Sequence, residues 1–150
     1  MDIQELLNRE AIRQTQARYN TGGDSVNYDE LGSAFTEDGV ILLAGGGFSY
    51  EGRQAIIEGM RGKAVARGAG QPGIFQRHQL TTSRVEFLGA NEAKGRTYFF
   101  VVTELGPDHS GVYYDEFRRV GDSWQISKRE IALEWRRAGS RFGPAIGKAQ

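Results

Sequence analysis

Apolar residues recur at two different periods along the chain, and the change of period divides the chain into two halves. In the first half they fall three or four positions apart, which is typical of amphipathic helices. The helices predicted in this way cover residues 1–20, 25–35 and 52–68. Asp2 and Glu5 form a capping-box pattern at the start of the first helix, and two glycines at 22–23 predict its end. A turn over residues 36–40 leads into a short apolar run, residues 40–45, which predicts a buried strand.

The second half is rich in β-branched and aromatic residues, which favour strands. Turn residues separate four long segments that predict antiparallel strands over residues 75–89, 92–105, 109–121 and 123–135. A period of two is visible in the last two segments, where one side carries Tyr113, Asp115, Phe117 and Arg119 and another carries Ser127, Arg129, Ile131, Leu133 and Trp135. In the first segment the phase changes between Leu80 and Val85, which predicts a β-bulge near residues 81–83. His109 falls in the sequence GPDHSG, which predicts a turn.

Helices followed by a run of antiparallel strands predict an α+β domain. We expect a cone-shaped α+β barrel, in which N-terminal helices cover the concave side of a strongly curved antiparallel sheet. Such a cone would enclose an apolar pocket suited to a small hydrophobic molecule. The aromatic side chains expected to line this pocket are Tyr98, Phe100, Tyr113, Phe117 and Trp135. We expect one domain over residues 1–137 and a tail over residues 138–150 without regular structure.

Composition narrows the classes of function. The 150 residues include 19 basic and 19 acidic ones, and this neutral balance argues against a sequence-independent nucleic-acid-binding protein. The sequence has no apolar run long enough for a transmembrane helix and does not start like a signal peptide, so we expect no membrane partner and a cytoplasmic location. It has no cysteine and only two histidines, so we expect no disulfide, no metal and no cofactor.

Four stretches of the chain form a pattern of known order and spacing. They are YNTGGDSVNYDELGSAFTEDGV, GRQAI, RHQLTTSRVEF and YYDEFRRVGDSWQISKR. The pattern resembles the SnoaL-like branch of the nuclear-transport-factor-2-like superfamily over residues 1–137. Within this branch the sequence most resembles scytalone dehydratase, bile-acid 7α-dehydratase and hexachlorocyclohexane dehydrochlorinase. The superfamily also includes cyclases, isomerases, dioxygenase small subunits and non-catalytic binding proteins, so the resemblance implies the fold more strongly than the function.

The resemblance implies a catalytic pair. In these enzymes an aspartate after the first long helix pairs with a histidine on the sheet, and the histidine takes a proton from the substrate; the matching residues are Asp24 and His78. The residues alone leave another role open for Asp24, as the N-cap of the second helix. Tyr19 stands where the dehydrochlorinase has a lysine, and it is either a catalytic phenol or a core tyrosine. Val101 stands where the bile-acid enzyme has an acidic residue.

Such a pair can carry out β-elimination without a metal or an organic cofactor. Imidazole has an unperturbed pKa of about 6.5, so it can take up a proton near neutral pH and release it again. A carboxylate bonded to one ring nitrogen fixes the tautomer and stabilises the imidazolium. The charged residues of the later strands, Asp115, Arg119 and Arg129, are candidates to bind a polar group or to stabilise developing negative charge.

The leading hypothesis is a cofactor-independent lyase, dehydratase or isomerase acting on a small, largely apolar substrate of the polyketide, steroid or aromatic type. One alternative is a non-catalytic protein that binds a hydrophobic ligand; an Asp24 to His78 separation well beyond about 3.2 Å would favour it. Another is the small subunit of a ring-hydroxylating dioxygenase, with an interior filled by side chains. All three predict a homo-oligomer, because the convex face of the sheet exposes apolar surface. The resemblance to the dehydratases favours a trimer slightly over a dimer.

Overall fold

The computed structural model describes residues 1–142, which form three helices and one sheet of six strands. Two helices precede the first strand, and the third lies between the second and third strands. The helices are α1 (Ile3–Asp24), α2 (Tyr28–Ser33) and α3 (Arg53–Ala66). The strands are β1 (Phe35–Leu43), β2 (Ser49–Glu51), β3 (Gln76–Phe87), β4 (Glu92–Thr103), β5 (Gly106–Val120) and β6 (Ser123–Arg136). This architecture confirms the α+β class predicted from the sequence. The expected tail falls partly outside the described residues; within its described part, residues 138–142 have no helix or strand.

The strands form one sheet in the order β2-β1-β6-β5-β4-β3. Strands β3 to β6 are an antiparallel meander, as predicted, but β1 pairs with β6 in parallel, so the sheet is mixed. The sheet has two free edges, β2 and β3, and does not close into a barrel. The register between β3 and β4 shifts between Leu80 and Ser83, which confirms the predicted bulge.

Helices α1 and α3 pack on one face of the sheet, where α1 contacts β3 and β6 and α3 contacts β1. The apolar core lies between these layers and is built around buried aromatic and aliphatic side chains, among them Phe35, Phe117, Trp124 and Ile126. No helix within residues 1–142 has the length and apolar character needed to cross a bilayer.

The end of α1 differs from its prediction. The helix continues through both glycines to Asp24 instead of stopping before them. Gly22 is needed there for packing, because a Cβ at this position would lie 2.5 Å from the backbone nitrogen of Leu31 in α2. The N-cap of α2 is Asn27, whose side chain accepts the backbone N–H of Glu30. Asp24 is therefore free of the capping role that the sequence left open.

The start of β5 also differs from its prediction. The chain reverses over Glu104 and Leu105, where Thr103 pairs with Gly106, and Gly106 takes a φ of +94°. Its lack of a side chain permits this conformation. The sequence GPDHSG therefore lies within the strand, and His109 pairs with neighbours on both sides instead of standing in a turn.

Candidate functional site

A cavity of about 130 Å³ lies between the helices and the inner face of the sheet. This volume is comparable to a protein cavity that holds a benzene ring. Most of its wall is apolar, with Leu31, Leu43, Met60, Phe99, Ile131 and Leu133 among the lining residues. Among the described residues, no three His, Cys, Asp or Glu side chains are grouped so that they could hold a metal ion.

Asp24 and His78 meet at the wall of this cavity. One carboxylate oxygen of Asp24 lies 2.6 Å from the Nδ1 atom of His78, and the other accepts the backbone N–H of His78 at 2.8 Å. The side chains are 11% and 14% exposed, and His78 lines the cavity. Because the carboxylate accepts the Nδ1–H, the neutral ring carries its lone pair on Nε2. The contact that the resemblance implied is present, and it is short, as hydrogen bonds to a charged carboxylate are.

Two neighbouring contacts hold the end of α1 against the start of β3. The side chain of Gln76 donates to the carbonyl oxygen of Gly23 at 3.3 Å, and His78 donates its backbone N–H to Asp24. Asp24 is the last residue of α1, so the continuation of the helix past its glycines carries the carboxylate to the sheet. The two-point contact fixes both the backbone and the ring of His78.

A second pair, Asp108 and His109, was missed in the sequence. The Nδ1 atom of His109 lies 2.8 Å from a carboxylate oxygen of Asp108, and both side chains are almost fully buried, at 6% and 3% exposed. Ser140 donates its hydroxyl to the same carboxylate oxygen at 2.6 Å. Burial lowers the pKa of His109 to about 4, against the opposing effect of Asp108. His109 is therefore a neutral imidazole at pH 7.

The two imidazoles approach each other because of the strand register. His78 on β3 and His109 on β5 both pair with Val101 on β4, one from each side. Residues that stand opposite one another in an antiparallel pair project to the same face. Their ring centroids lie 6.4 Å apart, and both rings line the cavity. The sequence carried one signal for this position of His109: it lies an even number of residues before Tyr113, in the alternating segment of β5, and so falls on the same side of the strand. The glycine and proline at 106–107 instead suggested a turn.

Tyr19 lines the cavity, and its ring contacts the arginine of a buried ion pair. Arg129 donates two hydrogen bonds of 2.7 Å to Asp115, and neither side chain is exposed. Burial opposes the charge on Arg129, but the Asp115 carboxylate outweighs it and the pKa of the arginine is raised. The guanidinium carbon lies 4.3 Å from the ring centre of Tyr19 and 4.0 Å from that of Tyr113. Both tyrosines line the cavity, whereas Arg129 and Asp115 lie behind them and do not line it.

The prediction of which β4 side chains face the cavity was wrong. Tyr98 and Phe100 are exposed on the opposite face of the sheet, and Phe99 lines the cavity in their place. Thr97 pairs with Tyr113 on β5, so the odd-numbered residues of this stretch share the inner face with that tyrosine. The phase depends on this cross-strand pairing and is not visible in the run of apolar residues TYFFVV.

Three further candidates lie away from the cavity. Trp135 is exposed, because the β5–β6 register shifts between Ser110 and Gly111 and reverses the phase at the end of β6. Phe117 is buried in the core against Gly95, where an added Cβ would lie 2.8 Å from its ring. Arg119 donates to the carbonyl oxygen of Gly121 at 3.3 Å, at the far end of β5. None of these three residues lines the cavity.

A family model supports the fold and the resemblance. The model described as a SnoaL-like domain matches residues 4–130 of the chain. No curated protein sequence is significantly similar to this chain.

Several solved structures share this fold. A putative scytalone dehydratase from Novosphingobium aromaticivorans DSM 12444 has a TM-score of 0.75 and 21% identity, with 97% of each chain covered. A hexachlorocyclohexane dehydrochlorinase (LinA) type 2 has a TM-score of 0.73 and 20% identity, with 96% of this chain and 98% of that chain covered. A nuclear-transport-factor-2-like protein with a cystatin-like fold from Novosphingobium aromaticivorans has a TM-score of 0.71 and 26% identity, with 87% and 84% covered.

Proposed function

The chain belongs to the family of SnoaL-like domains, and we propose that it is a cofactor-independent lyase or isomerase acting on a small, largely apolar molecule. One observation carries the proposal: a carboxylate holds both the ring and the backbone of a histidine at the wall of an apolar cavity. The names of two structural neighbours, a dehydratase and a dehydrochlorinase, denote elimination reactions and support the same class of chemistry.

The proposed elimination uses His78 twice. Its Nε2 removes a proton from the carbon beside a substrate carbonyl, and the electron pair of that C–H bond forms a carbon–carbon double bond. The bond from the neighbouring carbon to its hydroxyl group breaks, and the imidazolium gives its proton to the departing oxygen, so that water is the second product. Asp24 stabilises the transient imidazolium. Acid–base catalysis of this kind contributes about 10²- to 10⁴-fold in rate.

An isomerase would use the same atoms. In that reaction the imidazolium returns its proton to a different carbon, and the double bond moves without loss of water. The cavity wall favours either reaction, because excluding water strengthens the Asp24 to His78 interaction and protects the proton in transit.

Tyr19 is proposed to donate a hydrogen bond to the substrate carbonyl. Burial raises the pKa of Tyr19, so its hydroxyl remains protonated and able to donate at neutral pH. The guanidinium of Arg129 beneath the ring stabilises negative charge that develops on the oxygen bonded to this phenol. Arg129 and Asp115 are positioning residues in this scheme.

Two small cyclic ketones test the proposal. Elimination of water from 3-hydroxycyclohexanone and isomerisation of cyclohex-3-enone both give cyclohex-2-enone, whose conjugated system absorbs in the ultraviolet. Their single rings match the size of the cavity. We expect the protein to accelerate at least one of these reactions, and the His78→Gln variant to lose at least about 100-fold of that acceleration.

Asp38→Asn is the control variant, because Asp38 is an exposed carboxylate paired with Arg118 on the surface. It should retain full activity. A wild-type protein that forms no cyclohex-2-enone above the buffer rate, or a His78→Gln variant that matches the wild type, would contradict the proposed chemistry. The second result would leave a cavity that binds ligands without acid–base catalysis at His78.

We also propose that the chain self-associates through the outer face of the sheet, as a trimer in preference to a dimer. Exposed aromatic residues lie there on neighbouring strands, namely Tyr98, Phe100, Tyr114 and Trp135. Patches of this kind mark contact surfaces. Sedimentation equilibrium should give the mass of three chains, and the Phe100→Glu variant should sediment as a smaller species. A wild-type protein with the mass of one chain would refute this proposal.

A further inference from the structure

Three side chains on the helical side of the cavity have buried polar atoms that no atom of residues 1–142 hydrogen-bonds. Both polar atoms of the Asn20 amide, the hydroxyl of Tyr28 and the Nε atom of Arg67 are buried, and none has a hydrogen-bond partner among residues 1–142. All three residues line the cavity. Asn20 is 6% exposed and Tyr28 is 4% exposed, so neither side chain is turned to bulk solvent. A buried polar group without a partner costs about 1–3 kcal/mol, which is why such groups are rare in folded proteins.

Arg67 is the most unusual member of this group. It follows the last residue of α3 and is partly buried, and within the described part of the chain its guanidinium makes no ion pair or hydrogen bond. Its guanidinium carbon lies 4.5 Å from the centre of the Phe142 ring. Burial lowers its pKa, which shows that the environment disfavours the charge. The remaining residues, 143–150, include no Asp or Glu.

The charges around the cavity are one-sided. Lys63, one helical turn before Arg67, also lines the wall and lies over the ring of Phe48. No Asp or Glu of residues 1–142 lines the cavity. The carboxylate of Asp108 acts on Arg67 through its charge, but it is bonded to His109 and Ser140 instead. Within residues 1–142, the cavity wall therefore carries two cations and no carboxylate.

We propose that Arg67, Asn20 and Tyr28 form a subsite that binds a carboxylate group of the substrate. The guanidinium supplies the charge and a planar pair of donors that match two carboxylate oxygens. The Asn20 amide and the Tyr28 hydroxyl supply further donors. Burial raises the pKa of Tyr28, so its hydroxyl stays protonated. This inference rests on the proposed function in placing the substrate in this cavity, and it identifies that substrate as a small carboxylic acid with one largely apolar ring.

Benzoate and benzamide provide the direct test, because they share a ring and a planar head group and differ in charge. Their dissociation constants are measured by titration into the protein, with backbone amide chemical shifts as the signal. We expect benzoate to bind at least about tenfold more tightly than benzamide, as a charge-assisted hydrogen bond predicts. Equal affinities, or no binding of benzoate at its highest soluble concentration, would overturn the subsite.

Two variants, one in α3 and one directly after it, assign the preference to a residue. Arg67→Met keeps the apolar stem and removes the charge, and it should bind benzoate no better than benzamide. Arg61→Met is the matched control, since Arg61 lies in the last two turns of α3, is exposed and pairs with Asp29 on the surface. It removes the same charge and should keep the preference. A preference for benzoate that survives in Arg67→Met would refute the assignment, and Arg67→Lys, which should retain it in part, checks the result if Arg67→Met unfolds.

The binding test is independent of turnover. Repeating the titration with His78→Gln should give the same preference for benzoate. Formation of cyclohex-2-enone without a preference for benzoate would refute the subsite and leave the proposed reaction in place. A preference for benzoate without turnover of either ketone would support the subsite and count against the reaction.

Discussion

The two Asp–His pairs of this cavity have the same atoms and different surroundings. In both, a carboxylate oxygen lies within 2.8 Å of the Nδ1 atom of an imidazole. Asp24 and His78 come from different layers of the fold, one from the end of a helix and the other from an edge strand. Asp108 and His109 are neighbours in sequence on a central strand and lie under the segment that follows β6.

This difference in surroundings bears on which of the two histidines can act as the proposed base. Burial keeps His109 neutral by lowering its pKa to about 4, and the ring of Phe142 covers it with centroids 4.5 Å apart. No ring within residues 137–142 covers His78 in this way, and its side chain is the more exposed of the two. A base must take up a proton near the working pH, which the surroundings of His109 oppose. Under the proposed function, His78 is therefore the base and His109 a structural residue, although their side-chain pairs are the same.

The largest effect is expected from exchanging each carboxylate for an amide. Asp24→Asn should lower the rate of cyclohex-2-enone formation by at least about 100-fold, because the amide can donate to Nδ1 and stabilise the wrong tautomer of His78. Asp108→Asn, the matched variant, should lower it by less than about tenfold. Initial rates at saturating ketone measure both. Equal losses in the two variants would show that the pairs share the catalytic role.

The second-largest effect is expected in the pH dependence of the unfolding free energy, which should distinguish the two pairs. The pKa of His109 is about 4 in the folded chain and about 6.5 in the unfolded chain, so the unfolded state binds more protons between these values. The stability from neutral His109 is complete above about pH 6.5 and is lost as the pH falls towards 4, by roughly 3 kcal/mol. Urea denaturation at several pH values measures this loss.

His109→Gln, which cannot take up a proton, serves as the reference for that measurement. The difference in unfolding free energy between wild type and variant should shrink on acidification. Asp108, Arg67 and His78 are the charged or titratable groups acting on this ring. A difference that stays constant from pH 7 to about pH 4 would contradict a neutral, buried His109.

Removing the buried carboxylate should give a smaller, purely structural effect. Asp108→Ala leaves the His109 ring N–H and the Ser140 hydroxyl without their acceptor, and should cost about 1–3 kcal/mol of unfolding free energy. Asp38→Ala removes an exposed ion pair and should cost less than about 1 kcal/mol. Chemical denaturation compares the two variants at pH 7. Similar losses would mean that water replaces the missing carboxylate at the Asp108 site.

The smallest effect is expected from uncovering the second pair. Phe142→Ala removes the ring over His109 and should raise the pKa of the imidazole part of the way from about 4 towards about 6.5. Proton chemical shifts of the histidine rings during a pH titration report this value. Phe75→Ala is the matched control, because Phe75 is exposed and its ring contacts Arg77. An unchanged His109 pKa in Phe142→Ala would show that residues other than Phe142 cause the lowered pKa.

Much of this molecule follows from local patterns in its sequence. The 3.6-residue period predicted the three helices, and composition, turn residues and the two-residue period predicted the meander β3 to β6. Strand β2 was not predicted, and the predicted turn over residues 36–40 lies within β1. The change of phase between Leu80 and Val85 predicted a bulge, which the register of β3 against β4 confirms. The family resemblance identified Asp24 and His78 as a pair, although 54 positions separate them.

Other features were settled only by tertiary structure. The inward side of β4, the buried position of His109 and the parallel pairing of β1 with β6 all depend on which residues of distant strands stand opposite each other. A shift of one residue moves every side chain of a strand to the other face, and no local pattern fixes that register when both faces carry apolar residues. Arg129 and Asp115 looked like ligand-binding charges in the sequence, and their cross-strand pairing instead joins them in a two-bond ion pair inside the core.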